Sequence, residues 1–204
     1  MRSEYPEKAQ AVLARLSTLG MTPERLMKIG AFIVTYGLFE TSLERALWSI
    51  RGVNVEGVRP FTEALSSSDW LKMLGEGSPE LSSGCNLVLR EASIVAADLA
   101  EYRHSIIHGQ LIAVGGAPWF LRNPAWHGEK RRKPTGDAST EEPMLDLAIA
   151  SASTLFSVVR NAESVMSDPE SQRSIEKLKP DIIQAKSYAN ELRHAAYLRN
   201  HEKY

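Results

Sequence analysis

The stretch VLREASIVAADLAEYRHSIIHG, residues 88–109, decides the fold class of this chain. Its apolar side chains recur at alternating intervals of four and three residues, which places them on one face of a long α-helix. These residues are Val88, Ala92, Val95, Leu99, Tyr102 and Ile106. Such a stripe is typical of a helix that packs nearly parallel or antiparallel to its neighbours in a bundle. Gly109 follows the last apolar position, and we expect the helix to end there.

Two further segments repeat this spacing, one before and one after the stretch. The first consists of Ile29, Phe32, Tyr36, Phe39, Leu43, Ala46 and Ile50, and the second of Leu145, Ala148, Ala152, Leu155, Val159, Ala162 and Met166. Three equivalent stripes predict a predominantly all-α protein, an up-down bundle of long antiparallel helices. Gly30 and Gly37 share one face of the first segment, and we expect them to let a neighbouring backbone approach closely.

Proline and glycine residues divide the rest of the chain. Gly20 is expected to end a first helix over residues 6–19, and a short helix is expected near residues 68–74. Three sequences have a capping residue, a proline at the first helical position and an acid in the first turn, and each predicts a helix start. They are Thr22-Pro23-Glu24, Ser78-Pro79-Glu80 and Asp168-Pro169-Glu170. Pro180 should break the C-terminal helical segment near its middle.

After Gly109 the pattern changes to that of strands. LIAV at residues 111–114, two glycines and WFL at residues 119–121 predict a small β-hairpin, in which Pro118 would confine the second strand to an edge. We therefore expect three parts in the chain. These are an N-terminal helix (1–21), a helical bundle (22–167) with the hairpin and a basic loop near 110–143, and a C-terminal helical extension (168–204) that packs on the bundle or a partner.

The composition favours a globular, cytoplasmic protein. Hydrophobic residues make up 43% and charged residues 24%, and the net charge of −1 confines any site for a polyanion to a local patch. The single cysteine, Cys85, excludes an internal disulfide and a four-cysteine zinc site, and we expect it to be buried. The N-terminus lacks the apolar stretch of a secretory signal, and the longest apolar run, residues 31–34, is far shorter than the ~20 residues of a membrane span. We expect no membrane association.

The residue types that suggest chemistry are concentrated in RHSIIH, residues 103–108. Arg103, His104 and His108 stand within six positions at the predicted end of the helix. The sequence contains no HExxH, no P-loop, no GxGxxG and no Gly-x-Ser-x-Gly, so these zinc, nucleotide and serine-nucleophile sites are excluded. We expect neither a metal nor a cofactor.

An arginine, a polar residue, three more residues and a histidine resemble the R-x(4–6)-H motif of the HEPN superfamily (higher eukaryotes and prokaryotes nucleotide-binding). The placement is similar too, because the motif closes a long helix in a helical bundle. The resemblance covers roughly residues 22–166. It implies a metal-independent endoribonuclease that acts as a homodimer in a toxin, stress or defence role, with room for an antitoxin or regulatory partner. It also allows a non-catalytic, nucleotide-binding or interaction module, since some members have lost catalysis.

A second match to the same pattern runs from Arg122 to His127. Pro124 lies inside this match and excludes a continuous helix there. The first match follows an unbroken apolar stripe and precedes a capping glycine. We therefore assign the motif to Arg103 and His108.

The angle between the two motif residues predicts a site shared by two chains. At 100° per residue, Arg103 and His108 point about 140° apart on a straight helix, so one chain cannot easily aim both at one phosphate. Two such helix ends related by a twofold axis could offer an arginine from one chain and a histidine from the other. His108 would transfer the proton, Arg103 would grip the phosphate, His104 would assist in positioning and Glu101 would orient a histidine.

Two other interpretations of these residues stay open. A histidine in the last helical turn is favourable through the helix dipole alone, by ~0.3–1 kcal/mol, and Arg103 could form a simple surface ion pair. His104 and His108, one turn apart, could also ligate a metal ion with Glu101 as a third ligand.

A second candidate site is the segment of residues 119–133. Five basic side chains stand there against one acidic one, with Trp119, Phe120 and Trp126 interleaved. Basic groups that bind phosphates and aromatic faces that stack on bases are how proteins hold single-stranded RNA. The predicted RNA-binding residues are Arg122, Trp126, Lys130, Arg131, Arg132 and Lys133. The alternative is a solvated loop over a hairpin whose tryptophans are buried.

Overall fold

The computed structural model describes residues 4–122 and 136–201. This part of the chain forms seven α-helices, one short 3-10 helix and a three-stranded antiparallel sheet. The helices are α1 (Glu4–Thr18), α2 (Pro23–Ile50), α3 (Ser67–Glu76), α4 (Ser83–His108), α5 (Glu142–Ala162), α6 (Pro169–Lys177) and α7 (Lys179–His201), and the 3-10 helix spans Phe61–Ala64. The strands are β1 (Gln110–Val114), β2 (Ala117–Leu121) and β3 (Ala138–Ser139). The predicted all-α bundle with a small hairpin is confirmed.

The three apolar stripes meet in one core. Helix α2 packs on α5, and α4 packs on α3, α5 and α7. Every residue of the three stripes is buried except Ile29 and Met166, which pack against the edge of the core. Removing these side chains from water is the main favourable contribution to folding. Cys85 is also fully buried, as predicted.

Aromatic side chains fill the space between α2 and α4. The Phe32 ring lies 5.6 Å from the Tyr102 ring in an edge-to-face arrangement and 6.1 Å from the Tyr36 ring. The Tyr36 hydroxyl donates to the Ala96 carbonyl at 3.1 Å, and the Tyr102 hydroxyl donates to the Ser139 carbonyl. Burial raises the pKa of both tyrosines, so both hydroxyls stay protonated and act as donors.

Most of the predicted helix ends are confirmed. Helix α2 begins at Pro23 after the Thr22 cap, and α6 begins at Pro169 after the Asp168 cap. Helix α1 stops shortly before Gly20, whose φ of 83° lies in the left-handed region that favours glycine. The short helix expected near residues 68–74 is α3.

The helix start predicted at Ser78-Pro79-Glu80 is wrong. Helix α4 begins at Ser83, and the Ser82 hydroxyl accepts a hydrogen bond from the Cys85 amide at 3.1 Å. The Ser78 backbone is held in a turn by Asn86, whose side chain accepts from the Ser78 amide at 3.1 Å and donates to its carbonyl at 2.8 Å. This side-chain turn competes with the helix and displaces its start.

The expectation for Gly30 and Gly37 is also wrong within the chain. A Cβ added at either glycine would meet no atom within 4 Å, so no neighbouring backbone of the described residues approaches them. Both glycines lie away from the buried stripe of α2, and Gly30 is exposed.

The predicted hairpin is confirmed, but Pro118 does not lie on an edge strand. Strands β1 and β2 are joined at Gly115 and Gly116, which have positive φ angles of 57° and 84°. Strand β2 is the middle strand, since β3 pairs with its other side. Pro118 is tolerated there because β3 pairs only with Trp119 and Phe120, so the N–H that proline lacks is not needed for that ladder. The Pro118 carbonyl accepts hydrogen bonds from the Thr140 amide at 3.2 Å and the Thr140 hydroxyl at 2.7 Å.

The C-terminal segment completes the core. The chain breaks between α6 and α7 at Leu178, just before Pro180, as predicted. Helix α7 packs on α4 and α5 through a row of buried side chains. These are Ile182, Ala185, Ala189 and Leu192. The extension therefore packs on the bundle.

Among the described helices, α2 and α5 are long and apolar enough to cross a membrane by length and composition. Each of them also contributes one buried face to the core. Core helices of bundles meet the same criterion, so this is weak evidence for membrane association. The cytoplasmic, membrane-free location stays a prediction.

Replacing Leu99 should destabilise the bundle strongly. Leu99 is fully buried in the stripe of α4, so Leu99→Ala leaves a cavity and is expected to lower the free energy of unfolding by ~2–5 kcal/mol. The matched change Ile183→Ala, at a half-exposed position of α7, should cost about 0.5 kcal/mol or less. Denaturant titration measures both values, and equal losses would contradict the assigned core.

Candidate functional site

The candidate site lies at the C-terminal end of α4, where the helix meets the sheet. The Gly109 amide donates to the Ser105 carbonyl at 2.8 Å and closes the helix. A Cβ at Gly109 would lie 2.3 Å from that carbonyl oxygen and 3.0 Å from the Cβ of Phe120 on β2. The glycine therefore allows β2 to pack closely on the helix end, which fixes the strand beside the histidines.

His104 and His108 form a pair of adjacent, exposed imidazoles. Their ring centroids are 4.5 Å apart, and the ring planes are tilted by 49°. Both side chains are open to solvent, so both are accessible to another molecule. The pair places two imidazole rings, each able to accept or donate a hydrogen bond, side by side at one place.

The surroundings of His104 lower its pKa from the ordinary histidine value. Desolvation is the largest cause, followed by the positive charge of Arg122 and then by His108, while the Glu101 carboxylate opposes them. A lowered pKa favours the neutral imidazole at physiological pH. The neutral ring is the form that accepts a proton.

Arg122 joins this cluster from the end of β2. Its guanidinium donates to the Glu101 carboxylate at 2.9 Å, and its backbone amide donates to Asp137 Oδ1 at 3.0 Å. The Asp137 side chain is only 2% exposed, so it anchors the strand end firmly. The structure thus brings Glu101, His104 and Arg122 together, although Arg122 is far from the helix in sequence.

Arg103 lies on the α2 side of α4, apart from this cluster. Its guanidinium is 3.6 Å from the Glu40 carboxylate, and its Cζ lies 5.6 Å from the centre of the Tyr36 ring. As helix geometry predicts, the two residues of the motif therefore face different neighbours. Within one chain, the positive charge of Arg122 lowers the pKa of His104 more than that of Arg103 does.

Glu40 is a site residue that the sequence did not suggest. Desolvation raises the pKa of its carboxyl, and the positive charge of Arg103 only partly opposes this effect. Arg103 Nε is buried, and no described residue accepts a hydrogen bond from it. Glu40 and Arg103 are 63 positions apart on different helices, so spacing carries no signal for their contact.

Both ends of the predicted basic loop meet beside α4. The Ser105 hydroxyl donates to the Gly136 carbonyl at 2.8 Å, and Arg122 is bonded to Asp137 as described above. The other predicted RNA-binding residues lie outside the described residues. They are Trp126, Lys130, Arg131, Arg132 and Lys133.

The metal-ion alternative has no geometric support in residues 4–122 and 136–201. No three histidine, cysteine, aspartate or glutamate side chains in these ranges are placed so that they could hold a metal ion. This applies to His104, His108 and Glu101 as well.

Comparison of the chain with protein-family models, with curated proteins and with solved structures finds no significant match. The resemblance to the HEPN superfamily is therefore carried by the motif and its helical setting alone, and it stays a prediction.

Changing the charges beside His104 should move its pKa in two opposite directions. Arg122→Gln removes a positive charge and should raise the pKa of His104, whereas Glu101→Gln removes a negative charge and should lower it further. Proton NMR titration of the imidazole ring protons measures both shifts. Arg160→Gln, an exposed change on α5, is the control and should leave the titration unchanged. Equal titration of all three variants would contradict the described cluster.

Proposed function

We propose that this protein is a HEPN-like, metal-independent endoribonuclease that acts on RNA through Arg/His sites of a homodimer. The observation that carries the proposal is the exposed His104–His108 pair beside Arg122, at the helix end that bears the R-x(4–6)-H motif. Two accessible imidazoles next to a guanidinium suit the cleavage of a phosphodiester. The residues to which we assign the chemistry are Arg103, His108, His104 and Glu101.

The reaction is a transesterification within the RNA strand. His108 takes the proton of a ribose 2′-hydroxyl, the 2′-oxygen attacks the neighbouring phosphorus, and the bond from phosphorus to the 5′-oxygen breaks. A protonated histidine returns a proton to the leaving 5′-oxygen. The products are a 2′,3′-cyclic phosphate and a 5′-hydroxyl, and no redox partner is needed.

The arginines supply positive charge to the crowded phosphate. Arg122 lies beside the histidines of its own chain, where it also pairs with Glu101. Arg103 faces α2 and is one third exposed, so we assign it to a phosphate held by the histidines of a second chain. Donors that are fixed where charge develops typically contribute 10²–10³-fold to the rate, as oxyanion-hole variants show.

The basic loop would deliver RNA to this place. Its two ends are held at Ser105 and Asp137, next to the histidine end of α4. We propose a toxin, stress or defence role in the cytoplasm, with an antitoxin or regulatory protein as a further partner.

Purified protein should cleave single-stranded RNA in the presence of EDTA. Arg103→Ala and His108→Ala should each reduce cleavage at least ~10²-fold, because they remove the phosphate contact and the proton transfer. Replacing the ribose at the cleaved position by 2′-deoxyribose should block cleavage there, since the attacking oxygen is missing. Gel analysis of end-labelled RNA measures both effects.

The matched controls are Arg160→Ala and His194→Ala, which remove the same residue types from exposed positions on α5 and α7. Both should cleave like the unchanged protein. Cleavage by Arg103→Ala and His108→Ala at the rate of these controls would overturn the proposal.

A second candidate function is that of a non-catalytic helical interaction or nucleotide-binding module of the same fold. One observation favours it: Arg103 already contacts Glu40 and the Tyr36 ring within its own chain. An arginine in such a position can serve to hold α2 and α4 together. The module would bind a partner without cutting RNA.

A double-mutant cycle tests this structural role. If Arg103 holds α2 to α4, Arg103→Ala and Glu40→Gln should be coupled by at least ~0.5 kcal/mol in the free energy of unfolding. RNA cleavage should then be absent from the unchanged protein. Additive effects on stability, together with cleavage that depends on Arg103, would contradict the second candidate.

A further inference from the structure

The surface of α2 that faces solvent is apolar over most of the length of the helix. We define this α2 outward face by Met27, Gly30, Ala31, Val34, Leu38 and Thr41. At 100° per residue these six positions fall within about 60° of one direction, opposite the buried stripe. The side chains of Met27 and Val34 are 66% and 63% exposed. Large contiguous apolar surfaces of this kind mark interaction sites.

The α2 outward face is bounded by one charge of each sign. Glu24 lies at its start and Arg45 at its end, about 30 Å apart along the helix. Glu24 is 55% exposed, and its contact with Lys28 is a long one of 3.6 Å, while Lys28 has a closer acid in Asp146 at 2.9 Å. Arg45 is exposed and forms no ion pair with any described residue. Both charges are therefore available to an outside partner.

We propose that a second copy of this chain packs antiparallel on the α2 outward face. A twofold axis near Val34 places Glu24 of each copy opposite Arg45 of the other, so that both ends of the contact are charge-paired. The same axis sets Ala31 opposite Leu38, a small residue against a large one. The face is thus complementary to itself in the antiparallel direction, whereas a parallel pairing would set like charges together.

This arrangement explains why α2 contains two glycines, Gly30 and Gly37. Glycine costs about 1 kcal/mol relative to alanine inside a helix, and within the chain nothing lies within 4 Å of a Cβ at Gly30 or Gly37. A second helix on this side uses the missing side chains, because the two backbones can approach each other closely. The open space beside the glycines is where the partner helix lies.

A membrane fits this face less well than a second copy does. A helix that lies on anionic lipid carries basic residues along its polar borders. Here the two ends have opposite charges, which compensate each other only in an antiparallel pair. The contact is also independent of the proposed ribonuclease site, since Tyr36 and Glu40, which contact Arg103, are on the opposite side of α2.

Cross-linking tests the position of the twofold axis. The single native cysteine, Cys85, is buried, and burial raises the pKa of its thiol to about 11, so it should not react. Val34→Cys should form a covalent dimer of most of the protein under a mild oxidant. Val12→Cys, the same change at an exposed position of α1, is the control and should stay largely uncross-linked.

Charge reversal tests the identity and direction of the partner. Glu24→Arg and Arg45→Glu should each halve the mass in solution relative to that of the unchanged protein, because like charges then meet at both ends of the α2 contact. An equimolar mixture of the two variants should restore a dimer with one chain of each kind. Light scattering after gel filtration gives the masses.

Four results would overturn the proposal. Two of them concern the mass in solution: the unchanged protein is monomeric at all concentrations, or the mixture of the two charge-reversal variants does not regain the mass of the unchanged protein. The third is equal cross-linking of Val34→Cys and Val12→Cys. The fourth is binding of the unchanged monomer to anionic phospholipid vesicles that is lost in Val34→Glu. A protein that is monomeric at all concentrations would also remove the dimer that the ribonuclease proposal needs. The other three results concern the α2 outward face alone and leave RNA cleavage in EDTA unchanged, so failure of this contact and failure of the ribonuclease proposal are distinguishable. If both contacts between chains exist, they use different faces, and the charge-reversal variants remove only the α2 contact.

Discussion

The packing of α4 against the aromatic side chains of α2 is the contact on which the rest of the structure depends. Phe32, Tyr36 and Tyr102 fill the space between the two helices and fix their separation. Because Tyr102 also donates to the Ser139 carbonyl, the same layer sets where the sheet stands relative to the end of α4. Burial of these rings stabilises the fold, and their two hydroxyl groups give the packing a single register. The position of the histidine pair follows from this arrangement.

The core and the candidate site lie on different faces of the same helix, α4. The stripe from Val88 to Ile106 faces inward and makes α4 a rigid support, while His104 and His108 stand outside the stripe and stay exposed. A group on a rigid helix keeps its position without further contacts. Arg122, which arrives on a strand, needs the buried Asp137 for the same purpose.

The sequence predicted well what depends on local periodicity and poorly what depends on distant contacts. The three stripes, the hairpin turn at Gly115-Gly116 and the break before Pro180 follow from helix period and backbone preference, and all are present. The prediction at Ser78 failed because Asn86, which holds the turn there, is not recognisable as its partner from sequence. The prediction at Pro118 failed because the two-residue strand β3, which pairs with the other side of β2, is too short to be recognised from sequence. The contacts of Arg103 with Glu40 and of Arg122 with Glu101 join separate elements, so no spacing rule could have found them.

The hydrogen bond between Tyr102 and Ser139 affects the order in which parts of this protein fold during synthesis. Its two partners are 37 residues apart, and the end of α4 meets β3 only after the intervening chain has been made and has closed on itself. A chain synthesised only as far as Gly109 therefore has both histidines but lacks Arg122 and the Asp137 that anchors it. The cluster of Glu101, His104 and Arg122 is therefore assembled late, after most of the chain has been synthesised.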